Sequence, residues 1–185
     1  RYSFGEMRVS HEQNLVFADV ARGQLHALWK ELDKLGLATP NIGLLTNIIA
    51  CPGGDFCALA NARSVPVAQR IALRFTEEQQ RDIGPVTLNV SGCINACAHH
   101  HVAHIGILGV DKAGKENYQI TLGGSADENA AVGKILGPGV TYEAVPQVIE
   151  NILNRYRALR HEGERFIDTL GRVGAEEFKG ALHVD

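Results

Sequence analysis

Two periods of hydrophobic and polar positions alternate along this chain, and the points where one gives way to the other mark its elements. Gly5 to Val9 is short and extended, with Met7 and Val9 on one face, and Ser10-His11-Glu12-Gln13-Asn14 is a polar turn. Leu15-Val16-Phe17-Ala18-Asp19-Val20 reads as a second strand. From Gly23 to Leu35 the period lengthens. Leu25, Leu28, Trp29, Leu32 and Leu35 recur at three- and four-residue steps, a helical stripe that Gly36 terminates. The stripe assigns Trp29 to a core and leaves Lys30, Glu31, Asp33 and Lys34 on a solvated face. Strand, strand, helix makes a small α+β unit, and Thr39-Pro40-Asn41 marks its boundary.

Ile42 to Ala50 is a short apolar run, broken by Gly43 and by Thr46-Asn47, that delivers the chain to Cys51. Pro52-Gly53-Gly54 turns it sharply. Asp55 is placed to cap a helix beginning at Phe56, which would set Cys57 in a first turn where free N–H groups and the helix dipole favour a thiolate. Ser64 and Pro66 restart a helix to about Phe75, and Thr76 to Gly84 reads as a charged surface connection. Val86-Thr87-Leu88-Asn89-Val90 alternates strictly and predicts a strand, which Ser91-Gly92 turns into Cys93. A spacing of four would put Cys93 and Cys97 on one face of a helical turn. Both cysteine pairs then share one plan of extended segment, Gly-containing turn and short helix, and loops at strand ends are common places for a bound group.

Val102 to Val110 and Asn117 to Leu122 predict two antiparallel strands joined by a polar hairpin turn, Asp111 to Glu116. Ser125 to Gly139 is rich in Ala and Gly, with a short helix the only element suggested, around Ala130 to Leu136. Thr141 is a candidate cap for a helix from about Tyr142 to Leu159, striped by Val145, Val148, Ile149, Ile152, Leu153 and Tyr156. Short helices follow at Glu164 to Leu170 and near Ala175 to Leu182.

Composition narrows the chemistry. The 185 residues suffice for one domain, or one domain with a smaller lobe, and a net charge of −3 gives no support for nucleic-acid binding. No apolar run is long enough to span a bilayer, and no signal peptide is visible. The sequence starts at Arg1 inside an apparent strand, without an initiator Met, and is expected to be a piece of a longer polypeptide. Four cysteines in a chain of this size are not needed as staples, so a metal or redox role in a reducing compartment is expected.

The cysteines are arranged Cys51-x5-Cys57, a gap, then Cys93-x3-Cys97. Structural zinc sites pair their ligands two to four residues apart, so the wide first pair suits zinc poorly. Four thiolates of mixed spacing better suit an iron–sulfur cluster, and backbone N–H groups near Gly92 to Ala96 are placed to donate to its sulfurs. His99, His100, His101 and His104 beside the second pair keep a mixed His/Cys zinc site open as the competing arrangement. Arg63 and Arg70 are either surface charges or partners for a cofactor's carboxylates.

Ala50-Cys51-Pro52-Gly53-Gly54-Asp55-Phe56-Cys57-Ala58-Leu59-Ala60, taken with Ser91-Gly92-Cys93-Ile94-Asn95-Ala96-Cys97, resembles the signature of the nitrite/sulfite reductases that carry sirohaem and a 4Fe–4S cluster. Ile105-Gly106, Leu122-Gly123-Gly124 and Glu162-Gly163-Glu164-Arg165-Phe166 fall where that family has similar elements. The His-His-His run brings the assimilatory sulfite reductase haemoprotein nearest. The resemblance implies an α+β chain: residues 1–40 a ferredoxin-like half-domain, with Glu12-Gln13-Asn14-Leu15 at its centre, and residues 41–185 an α/β domain binding the cluster and sirohaem.

It further implies that Cys51, Cys57, Cys93 and Cys97 ligate one 4Fe–4S cluster and that Cys97 also bridges to the sirohaem iron. The implied reaction is a six-electron reduction of sulfite to sulfide, or of nitrite to ammonia, in the cytoplasm. A flavoprotein reductase or a ferredoxin would be the electron donor. Asn95 matches the family and either hydrogen-bonds near the cluster or caps the local backbone. The family often has Pro at the position of Ile94 and Gly at that of Ala96. Its anion-gripping residues come largely from an N-terminal half that this sequence lacks, so no catalytic residue is assigned, and the piece alone is expected to be inactive and to hold either cofactor poorly. Competing readings are a cobalamin-synthesis oxygenase on the same scaffold, a non-catalytic iron–sulfur electron carrier and a zinc-stabilised domain.

Overall fold

A computed structural model describes residues 1–184 and divides the chain into two compact units, one from Arg1 to Ile42 and one from Gly43 onward. In the first unit β1 (Arg8–Val9) pairs antiparallel with β2 (Leu15–Val16), Arg8 opposite Val16 and Val9 opposite Leu15. The strands are shorter than the extended runs in the sequence, because Gln13 and Asp19 take left-handed backbone, with φ of 62° and 55°, that no strand continues. A 3-10 turn over Arg22–Gln24 leads into α1 (Leu25–Lys34). Of its apolar stripe only Leu28 is buried, and Trp29 is 49% exposed with its ring stacked on His26 at 5.6 Å. Trp29 is therefore not a core residue of this unit: a two-stranded ribbon and one helix do not enclose an indole.

The second unit is a mixed sheet covered by helices. Its strands are β3 (Ile49–Ala50), β4 (Leu88–Ser91), β5 (Ile105–Lys112), β6 (Lys115–Leu122) and β7 (Lys134–Ile135), hydrogen-bonded in that order, with β8 (Val140–Thr141) also pairing with β6. β3, β4 and β5 run parallel, whereas β6 is antiparallel to β5 with Ile105 opposite Leu122 and Gly106 opposite Thr121. α2 (Val65–Ala72) and α3 (Glu77–Ile83) lie in the crossover from β3 to β4. α4 (Val145–Leu159) buries all six residues of its predicted stripe. Together with Val67 and Ile71 of α2 and Leu88, Val90, Ile105, Ile107 and Ile120 of the sheet they form one core. α5 (Phe166–Val173) and a 3-10 segment, Ala175–Leu182, close it, with Phe166 edge-on to Tyr156 at 5.4 Å.

Three segments of the second unit outside the cysteine loops also differ from their sequence expectation. Thr76 to Gly84 contains a helix, because Thr76 and Gln79 form a reciprocal capping box and Gly84 follows the last turn. Ala130 to Leu136 contains β7 and a bridge between Ser125 and Ala131 instead of a helix. Thr141 lies in β8, so α4 starts later, at Val145, with Pro146 in its first turn. Among the described residues no helix is long and apolar enough to cross a membrane.

Candidate functional site

Because β3 and β4 are parallel neighbours, their carboxyl ends point the same way. The loop that starts at Cys51 and the loop that starts at Gly92 therefore emerge side by side. The pairing continues past the strands, since Cys51 N–H donates to Val90 O at 3.1 Å. The loops then lock to each other. Gly92 O accepts from both Asn61 N–H (2.9 Å) and Ala62 N–H (3.0 Å), and Gly92 N–H donates to Cys51 Sγ at 3.1 Å. Glycine is required at this crossing. A Cβ on Gly92 would lie 2.6 Å from Ala62 O and 3.0 Å from Gly53 Cα, and one on Gly53 would lie 2.2 Å from Ser64 Oγ.

All four cysteines are free thiols. Cys51 and Cys93 are buried, Cys57 is half-buried and Cys97 is exposed. Neither cysteine loop is helical. Residues 52 to 60 form consecutive turns, in which Cys57 N–H donates to Gly53 O (2.9 Å) and Ala60 N–H to Cys57 O (3.1 Å). The dipole predicted to act on Cys57 is absent with its helix. Cys93 to Ala96 is a turn closed by Ala96 N–H donating to Cys93 O at 3.1 Å. Ala96 has φ of 55°, which ends any right-handed helical path before Cys97. The two cysteine loops are thus joined by loop-to-loop hydrogen bonds rather than by helix faces. Asn95 is exposed at this turn beside the exposed Ile94.

The donor set fits a cluster better than a single ion. Among the described residues no three His, Cys, Asp or Glu side chains gather closely enough to hold one metal ion. The mixed His/Cys zinc centre is therefore not formed by these side chains. A multi-iron core occupies the space between its thiolates, so its ligands do not converge on one point. Four free thiols on two locked loops, a backbone N–H already aimed at one sulfur and a crossing that a single Cβ would fill are features such a core could use.

The histidines separate into different environments. His100 is buried, and among the described residues its Nδ1 has no hydrogen-bond partner. Burial, and then the neighbouring His101 ring at 3.9 Å, push its imidazole down to about 4. His104 Nδ1 accepts from Thr87 N–H at 3.3 Å, and burial lowers its protonation. His99 and His101 are exposed. Neither arginine is spare. Arg63 pairs with Glu116 through Nη2 at 2.7 Å and Nε at 3.0 Å and stacks over Tyr142 at 3.9 Å. That pairing raises the guanidinium further and holds the Glu116 carboxyl below its ordinary range. Arg70 covers the same ring at 4.5 Å and donates to Tyr142 O at 2.9 Å. Sequence reasoning missed Ser64, whose buried hydroxyl donates to Cys51 O at 2.5 Å and lies 3.6 Å from Cys51 Sγ. Its only signal in the sequence is a hydroxyl before a helix, which reads as a cap.

Residues 43–185 match the family model described as the nitrite and sulphite reductase 4Fe-4S domain. The chain is 30% identical over 184 residues to sulfite reductase (ferredoxin) 2 of Mycolicibacterium paratuberculosis, covering 94% of this chain and 33% of that protein. It is 31% identical over 179 residues to the chloroplast ferredoxin–nitrite reductase of Betula pendula, covering 90% of this chain and 30% of the relative. The solved structure of the Mycobacterium tuberculosis NirA protein superposes with a TM-score of 0.79 at 30% identity, over 93% of this chain and 33% of that one. Dissimilatory sulfite reductase I superposes equally well, with a TM-score of 0.79 at 15% identity, and shares the fold. The chain spans about a third of the length of the curated relatives it matches. With its second unit matched throughout and its two cysteine loops locked at adjacent strand ends, the chain belongs to the nitrite and sulphite reductase 4Fe-4S domain family, a family of oxidoreductases.

Proposed function

We propose that this chain is the cluster-binding part of a sirohaem-dependent reductase that takes sulfite to sulfide by six electrons, in which Cys51, Cys57, Cys93 and Cys97 hold one 4Fe–4S cluster. The observation that carries the reading is the lock between the loops, Gly92 N–H on Cys51 Sγ together with Asn61 and Ala62 N–H on Gly92 O. When bound, the cluster supplies one-electron transfer and sirohaem the iron at which the anion is reduced. The protein's own part is to set positions. The buried Cys51 and Cys93 anchor the site from the sheet side, and the exposed Cys97 is the thiolate free to reach a second iron. Asn95, exposed two residues before Cys97, is placed to line that second cofactor.

No residue of this chain is assigned to anion binding or proton donation. These fall to an N-terminal half of the same polypeptide, without which the piece is inactive and holds its cofactors poorly. The share of the relatives that the chain covers supports this. So do the exposed apolar residues of the first unit, Phe4, Val9, Leu35 and Ile42 among them, which another part of the protein would cover. We read that unit as a ferredoxin-like half-domain. A ferredoxin donor is supported by the names of both relatives, a flavoprotein reductase is the alternative, and a cytoplasmic location is part of the proposal. Nitrite is retained as a second substrate because a nitrite reductase matches as closely as the sulfite reductase. With a reduced donor, the full-length protein is expected to release sulfide from sulfite at a higher kcat/KM than it forms ammonia from nitrite. The reverse order would make it a nitrite reductase, and no turnover of either anion would refute the proposal.

A further inference from the structure

We infer that Ser64 is a positioning residue for Cys51, its buried hydroxyl serving as a second hydrogen-bond partner of the sulfur and so helping to set the reduction potential of the cluster. The inference rests on the four-cysteine reading above. Ser64 is fully buried, and its Oγ lies 3.6 Å from Cys51 Sγ while donating to Cys51 O at 2.5 Å. Gly92 N–H approaches the same sulfur at 3.1 Å. Cys51 is thus gripped twice at its sulfur and once at its carbonyl, by groups that come from both loops.

The position of Ser64 explains why it is a serine. It stands immediately before α2, where a hydroxyl ordinarily caps the first turn, yet its side chain makes no cap bond. The hydroxyl is instead turned back onto Cys51. Gly53 leaves the room for this, since a Cβ there would fall 2.2 Å from Ser64 Oγ. While Cys51 is a thiol, its S–H donates to Ser64 Oγ and the hydroxyl proton goes to Cys51 O. Once Cys51 is a metal-bound thiolate it has no proton to give. The hydroxyl proton can then turn from Cys51 O to the sulfur. A donor aimed at a ligating sulfur stabilises the more negative, reduced form of a cluster and raises its potential.

The test uses the anaerobically reconstituted full-length protein and its Ser64→Ala and Ser64→Thr variants. Iron and acid-labile sulfide are measured first, and the cluster potential is then followed by EPR-monitored redox titration. The expected result is a more negative potential for Ser64→Ala with its iron and sulfide retained, and a potential nearer wild type for Ser64→Thr, which keeps the hydroxyl. Loss of the cluster in Ser64→Ala alone also supports the role. Equal potentials in all three proteins, or loss of the cluster from both variants, would overturn it while leaving the four-cysteine reading intact. A wild-type protein without iron and sulfide would overturn both.

Discussion

Ala96 carries a φ of 55°, and that one angle decides the shape of the second cysteine loop. The spacing of Cys93 and Cys97 suits a helical turn equally well, and nothing in the residue type Ala announces a left-handed conformation. The family's frequent Gly at this position was the available signal. Gly92 is the converse case, a residue whose demand is legible only once its surroundings are known. Gly92→Ala drives a methyl group to 2.6 Å from Ala62 O, and we expect it to destabilise the fold by about 1–3 kcal/mol in urea titrations, a typical overpacking cost. Unchanged stability would show that the loops are not locked there. His100 offers a pH test. Its imidazole is held near 4 by burial, against 6.5 ordinarily, so between those values the unfolded chain binds a proton that the folded chain refuses. Stability is fully present above 6.5 and falls as the pH drops toward 4, by up to about 3 kcal/mol. A His100→Leu variant should lose less stability over that interval in urea titrations. Parallel pH profiles would contradict the assignment.

At the scale of elements, what was legible in the sequence followed from periodicity. The stripe of α4 is buried at every predicted position, and β5 and β6 pair as an antiparallel hairpin over eight residues each, because both patterns are long enough to outweigh local turn chemistry. Short elements were not legible. β3 and β7 span two residues each and exist only through their neighbours in the sheet. α3 was hidden by its charge, although Thr76, Gln79 and Gly84 carried its caps. The hairpin between β5 and β6 turns on Ala113 and Gly114, with φ of 54° and 75°, a two-residue loop of the primed type. Alanine is strained in that conformation, so Ala113→Asn is expected to stabilise the fold by about 1 kcal/mol in thermal or urea unfolding. No gain would mean that the hairpin relaxes in solution.

For the molecule as a whole, the 4Fe-4S domain family was legible from the two cysteine motifs, and the arrangement of the two loops that carry them was not. The juxtaposition of Cys51 with Gly92 depends on β3 and β4 being parallel neighbours, a fact of topology that no local pattern encodes. The same holds for Arg63 and Arg70. Their distant partners, Glu116 and Tyr142, make them structural residues of the second unit rather than spare cations. The central claim is that these loops hold one cluster through four thiolates. It is tested most directly by iron and acid-labile sulfide analysis of the anaerobically reconstituted full-length protein. We predict about four iron and four sulfide per chain, as a single cubane requires, with the content collapsing when Cys51, Cys57 or Cys93 is replaced by Ser. Stoichiometric zinc with neither iron nor sulfide would contradict the account.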